Sequence, residues 1–135
     1  MPHLNEDIIA YRIARARETI DDAKIAIDNG KCFNAENRIY YAIFYIVSAL
    51  SLKDGFSSSK HKQLMGWFNY NYIKTGKINK DFGNIYRNAL KNRQESDYED
   101  CISINLSDVK EHYNDMLLFV AEIEKLINEG IENNK

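Results

Sequence analysis

The sequence predicts an all-α protein, and three observations carry that reading. Apolar residues recur at alternating steps of three and four over long stretches, the spacing of one helical face. The single proline is Pro2, so nothing interrupts a helix downstream. The one strand-like stretch, Cys101-Ile102-Ser103-Ile104, is too short to found a sheet. A chain of 135 residues with 44% apolar content can bury one core. The expected architecture is a single domain over residues 1–135, an all-α bundle of five helices with short connections.

The first helix is expected from about Asn5 to Asn29. Ile9, Ile13, Ala16, Ile20, Ala23 and Ile27 form its apolar stripe, Asn5 caps its start and Asn29-Gly30 suits its end. The second runs from about Ala35 to Lys53 with Asn34 as N-cap, and it is the most apolar, which places it in the middle of the bundle. A serine turn, Ser57-Ser58-Ser59, precedes a third helix over about Lys60 to Lys74, with His61, Leu64, Met65, Phe68 and Tyr72 on one face. A fourth helix, about Asp81 to Asp97, turns Ile85, Ala89 and Tyr86 inward. The fifth, about Ser107 to Glu132, carries Val109, Tyr113, Met116, Val120, Ile123 and Ile127, with Ser107 as cap and Leu106 as a staple.

Charge is distributed unevenly. Residues 1–52 carry a net −1, residues 53–93 a net +7 and residues 94–135 a net −8, although the whole chain is only −2. The basic block holds Phe56, Trp67, Phe68, Tyr70, Tyr72, Phe82 and Tyr86 among its lysines and arginines, a mixture suited to phosphates and stacked bases. The plainer reading is that the basic middle neutralises the acidic last helix, within one chain or across a dimer. No apolar run approaches a membrane span and the N-terminus has no signal-peptide pattern. Cys32 and Cys101 have neither metal nor disulfide spacing. A reduced, cytoplasmic protein without membrane, metal or cofactor is expected.

Common catalytic signatures are absent: no glycine-rich phosphate loop, no His-Glu-x-x-His, no Cys-x-x-Cys, no nucleophile elbow. His61 reads as a hydrogen-bonded core or cap residue and His112 as a solvated surface group. The informative run is Asn37-Arg38-Ile39-Tyr40-Tyr41-Ala42-Ile43-Phe44-Tyr45, which sets an arginine in a segment apolar or aromatic on nearly every side. A buried guanidinium keeps its proton and needs an acceptor. Asp97 is the acceptor expected for Arg38, with Tyr98 or Tyr41 completing the network and Asn37, Tyr45 and His61 as structural support.

At these residues the chain resembles the small stand-alone HEPN proteins (higher eukaryotes and prokaryotes nucleotide-binding). The resemblance rests on four pieces in order: Asn37-Arg38-x-Tyr40-Tyr41-Ala42-x-Phe44, the Ser58-x-Lys60-His61 helix opening, Tyr72-x-Lys74-Thr75-Gly76, and Arg93-x-x-x-Asp97-Tyr98. It covers about Phe33 to Tyr98. It implies an up-and-down bundle of four main helices plus a shorter one, a homodimer, and a setting beside a minimal nucleotidyltransferase as a toxin–antitoxin pair. It also implies a metal-independent ribonuclease motif, an arginine followed after four to six residues by histidine. This chain departs from that motif: Tyr45 stands seven after Arg38, and Tyr98 five after Arg93. Tyrosine, with an ordinary pKa near 10, is a poor base at neutral pH.

The resulting expectation is a catalytically degenerate HEPN-fold protein that binds a nucleotide or RNA, or partners a nucleotidyltransferase, as part of a toxin–antitoxin type system. Arg93, Tyr98, Arg87 and Lys91 are the expected ligand residues. One alternative is a weak metal-independent endoribonuclease using Arg93, Asp97 and Tyr98. Another is a structural helical dimer with no ligand.

Overall fold

The computed structural model describes residues 2–96 and 105–133. Helix α1 spans Pro2–Asp28, α2 Cys32–Lys53, α3 His61–Phe68, α4 Lys80–Ser96 and α5 Leu106–Asn133. Among the described residues there is no strand. The protein is all-α, as expected. Helix α3 runs directly into one π-helical turn, Asn69–Ile73, where a single helix over Lys60 to Lys74 was expected. The expected strand-like stretch at Cys101 to Ile104 lies outside the described residues.

Helix directions follow from which residues meet. Arg12 reaches the Ser48 carbonyl and Arg15 reaches the Tyr45 hydroxyl, so α1 runs antiparallel to α2. His112 meets Glu36 near the start of both α2 and α5, and Gly130 lies against the Lys53 side chain near the end of both, so these two are parallel. Tyr86 and Phe82 pack on Phe119 while Asn92 meets His112, which sets α4 antiparallel to α5. The four long helices therefore alternate up and down. Helix α3 lies alongside α2, from His61 beside Tyr40 to Tyr72 hydrogen-bonded to Asp54.

Helix α2 packs against α1, α3, α4 and α5 and is the centre of the bundle. Its Ile39, Tyr40, Ala42, Ile43, Ile46, Val47, Ala49 and Leu50 are all buried, as its composition requires. Phe68, Tyr86 and Phe119 form a second knot of rings joining α3, α4 and α5.

Helix ends differ from expectation in ways that capping chemistry explains. Helix α1 begins at Pro2, which suits a first turn because its missing N–H needs no partner there. Helix α2 begins three residues early, at Cys32, and its cap residue Lys31 makes no side-chain cap; Asn34 lies inside the helix. Helix α5 is capped by Asn105, whose side-chain oxygen accepts from the Asp108 N–H at 2.8 Å, while Ser107 sits within the first turn. Gly30 and Gly55 do end α1 and α2, with φ of +68° and +86° that only glycine adopts freely. Among the described residues no helix is long and apolar enough to cross a membrane.

Candidate functional site

One face of α2 is not covered by a neighbouring helix. Asn37, Arg38, Tyr41, Phe44 and Tyr45 recur at helical spacing and are all only half-buried. Their rings form a continuous row: Tyr41 lies 5.9 Å from Phe44 and 6.0 Å from Tyr45 between centroids. Arginines from three helices come down on this row. Arg38 of α2 and Arg93 from the last turn of α4 sit 5.3 Å and 5.4 Å from the Tyr41 centroid. Arg93 is also 5.5 Å from the centre of Tyr40, and Arg15 of α1 lies 5.1 Å from that of Tyr45. The ring faces carry partial negative charge, which attracts the guanidinium groups to them.

Among the described residues these charges are weakly neutralised. Arg38 donates through Nε and Nη2 to Asn37 Oδ1, at 3.1 Å and 2.7 Å. The Nε of Arg93 is buried and finds no hydrogen-bond partner among the described residues. Neither arginine has a carboxylate within ion-pair distance among those residues. Only Arg15 has one, Glu18 at 3.6 Å on the same helix. Beside Arg38 a pocket of about 350 Å³ opens between the end of α1 and the start of α2, with Lys31, Asn34 and Asn37 in its lining.

A histidine belongs to the cluster. His61, the first residue of α3, packs 4.8 Å from the Phe44 ring and 5.7 Å from that of Tyr41. Its Nδ1 is 2.5 Å from the Tyr40 hydroxyl. Burial first, and the Arg93 charge second, lower the imidazole pKa, so His61 is neutral at physiological pH. Burial likewise pushes the Tyr40 hydroxyl well above its ordinary range, so it keeps its proton. With Tyr40 donating to Nδ1, His61 Nε2 carries the N–H and is a donor; with Nδ1–H donating to Tyr40, Nε2 is a base.

Several expectations are corrected here. Arg38 is half-buried and is held by Asn37 and Tyr41, because the α2 face that bears it is open. Its expected partner Asp97 and the candidate Tyr98 lie outside the described residues, as does Cys101. Tyr41 does lie against both Arg38 and Arg93, and His61 lies close enough to Arg93 to feel its charge, while Tyr45 pairs with Arg15. Arg87 and Lys91 do not: they occupy the exposed face of α4, while Arg93 turns inward on the side of Tyr86 and Leu90. Arg87 donates to Asn84, and Lys91 lies near Glu95 and lines a different pocket with Glu111 and Asp115. His112 is not a free surface group; its Nδ1 pairs with Glu36 Oε1 at 2.9 Å. Among the described residues no group of three histidine, cysteine or acidic side chains is gathered to hold a metal.

Sequence reasoning missed Arg12 and Arg15 as site residues, and Glu36 as a buried charge. Arg12 and Arg15 were legible as a pair three apart on one face of α1, but nothing in the sequence says which face of α1 borders the open side of α2. Tyr40 was quoted in the motif without a role, since its partner is 21 residues away on another helix.

The HEPN domain model matches residues 9–129, nearly the whole described bundle. The chain belongs to the HEPN family. A "UPF0332 protein" of Thermotoga maritima is 43% identical over 92% of this chain and 94% of its own length. Two Methanocaldococcus jannaschii proteins are more distant relatives. "Putative toxin MJ0605" is 33% identical over 70% of this HEPN chain and 73% of its own. "Putative toxin MJ0142" is 30% identical over 72% and 67%. The HEPN match includes every arginine and aromatic residue of the open α2 face, together with His61 and Arg93.

Proposed function

We propose that this HEPN protein binds RNA or a nucleotide phosphate at the open face of α2, as one component of a toxin–antitoxin type pair. The observation that carries the reading is Tyr41 flanked by Arg38 and Arg93, two cations with no carboxylate partner among the described residues. Such a pair offers forked donors to a phosphate and a ring to a base. The names of the two archaeal relatives support the toxin–antitoxin setting. On this reading the protein acts as a single-domain homodimer beside a nucleotidyltransferase partner. The test is binding of labelled single-stranded RNA, competed with ATP, to wild type and Arg93→Ala. At least a tenfold loss in the variant, with unchanged circular dichroism, is expected; equal affinities would reject the site.

A second reading is favoured by one specific observation. His61 stands against Tyr40, whose ring Arg93 covers, and so returns a histidine to a site whose motif lacks one. A weak metal-independent endoribonuclease could then use His61 for proton transfer and Arg93 for phosphate charge. Incubation with RNA in EDTA tests it: cleavage lost in both Arg93→Ala and His61→Ala supports the enzyme, and no cleavage by wild type above Arg93→Ala rejects it.

A further inference from the structure

Neutral His61 can carry its proton on either ring nitrogen, and its surroundings choose between them. The Tyr40 side chain is fully buried, and its hydroxyl has one hydrogen-bond partner among the described residues, His61 Nδ1 at 2.5 Å. Tyr86, whose buried hydroxyl is itself without a partner among those residues, does not supply a second. If Nδ1–H donated to the Tyr40 oxygen, the phenolic hydrogen would be buried with no acceptor, the costlier arrangement in a dry interior. If Tyr40 donates to Nδ1, both groups are satisfied. The Arg93 cation, 5.5 Å from the centre of the Tyr40 ring, acts in the same direction. It strengthens the phenol as a donor and opposes a positive charge on the imidazole. Tyr41 and Phe44 pack on the imidazole, at 5.7 Å and 4.8 Å between centroids, and steady it. The opposite ring flip would set carbon Cδ2 against the hydroxyl and leave it unpaired. The proton of the neutral ring therefore resides on Nε2. That nitrogen makes no hydrogen bond among the described residues and belongs to a half-buried side chain.

Resting on the phosphate-binding reading above, we infer that Tyr40 is a positioning residue: by donating to Nδ1 it holds His61 as a neutral Nε2–H donor, so that His61 gives a hydrogen bond to an anionic oxygen of the bound phosphate and does not accept a proton. Tyr40, being fully buried, acts only through His61. The lone pair that a base would need is on Nδ1, and Tyr40 occupies it. The site then offers the two guanidinium groups at Tyr41 and an imidazole N–H, with no imidazole base. This narrows the ribonuclease reading: His61 steadies charge on a phosphate, and another group must take the proton of an attacking hydroxyl.

Nitrogen NMR of the isotope-labelled, ligand-free full-length protein tests the tautomer directly, because a ring nitrogen that carries hydrogen resonates far from one that does not. Wild type should show hydrogen on Nε2 alone. In Tyr40→Phe the Nδ1–H form should appear beside it, and the His61 titration midpoint should rise toward its ordinary value, because the neutral ring loses its donor. An unchanged His112 signal shows that the fold is intact; a packing role alone would move neither readout. The functional arm measures binding of adenosine monophosphate. His61→Gln, whose amide also donates from a neutral side chain, should bind close to wild type. His61→Ala should lose about tenfold or more, the worth of one hydrogen bond to a charged oxygen. Hydrogen on Nδ1 in wild type overturns the proposal, as does a folded Tyr40→Phe with ring-nitrogen signals and midpoint identical to wild type. His61→Gln as weak as His61→Ala overturns the donor role. Wild type that binds no adenosine monophosphate, with hydrogen on Nε2, rejects the phosphate reading and leaves the hold of Tyr40 on His61 standing.

Discussion

Glu36 is 2% exposed, and the His112 imidazole supplies its partner at 2.9 Å. The hydrogen bond to Glu36 raises the His112 pKa above its ordinary 6.5, while burial opposes the rise. The charged imidazolium is therefore favoured in the folded state. This contribution is fully present below the unfolded pKa, near 6.5, and is lost as pH climbs through the raised folded value. Asp108 and Asp115 also favour the charge, and Asn92 approaches the ring from α4. Thermal denaturation should show a melting temperature that falls as pH rises above about 6.5 in wild type and a flatter profile in His112→Gln; parallel profiles would show that the pair does not titrate there. His61 behaves oppositely. Its lowered pKa makes the folded state resist protonation, so it contributes a loss of stability as pH falls through about 6.5.

One ring joins α5 to both α3 and α4. Phe119 is fully buried and contacts Phe68, Phe82 and Tyr86. Phe119→Ala leaves a cavity at this junction and should cost about 3–5 kcal/mol in urea unfolding. Leu118→Ala, on the exposed side of the same turn, should cost a small fraction of that; equal losses would place the junction elsewhere. These elements also show what a sequence carries. The apolar periodicity of α1 and α5 marked their buried faces correctly, because burial on one side of a helix imposes its own spacing, whereas α2, apolar on nearly every side, gave no sign of its half-buried face. The ends were harder to place: Asn105 and Ser107 are both good caps, and only backbone geometry selects Asn105. The π-turn after Phe68 has no composition of its own. The Arg38, Tyr41 and Tyr45 part of the site was readable because it is local in sequence. Arg15, Tyr40–His61 and Glu36–His112 join residues 21 to 76 apart, and packing alone decides them.

Across the molecule, the basic middle does not neutralise the acidic end through ion pairs among the described residues. Lys91–Glu95, both within α4, is the only pair there that links the two segments, while Glu124 of α5 pairs with Arg17 of α1. Lys60, Lys62, Lys74, Lys77 and Lys80 are exposed without a carboxylate at ion-pair distance among the described residues. Raising salt from 50 to 500 mM should therefore leave the melting temperature level or higher by screening repulsion; a marked fall would reinstate charge complementarity as a stabilising force. The same reasoning applies with more force at Tyr41. Arg38 and Arg93 sit close to one ring, which brings two cations to within about a Debye length of each other at 0.1 M salt. On the proposed reading, an anion bound there relieves this repulsion, so ligand binding and folding stability become linked quantities: adding the ligand should raise the melting temperature of wild type and not of Arg93→Ala.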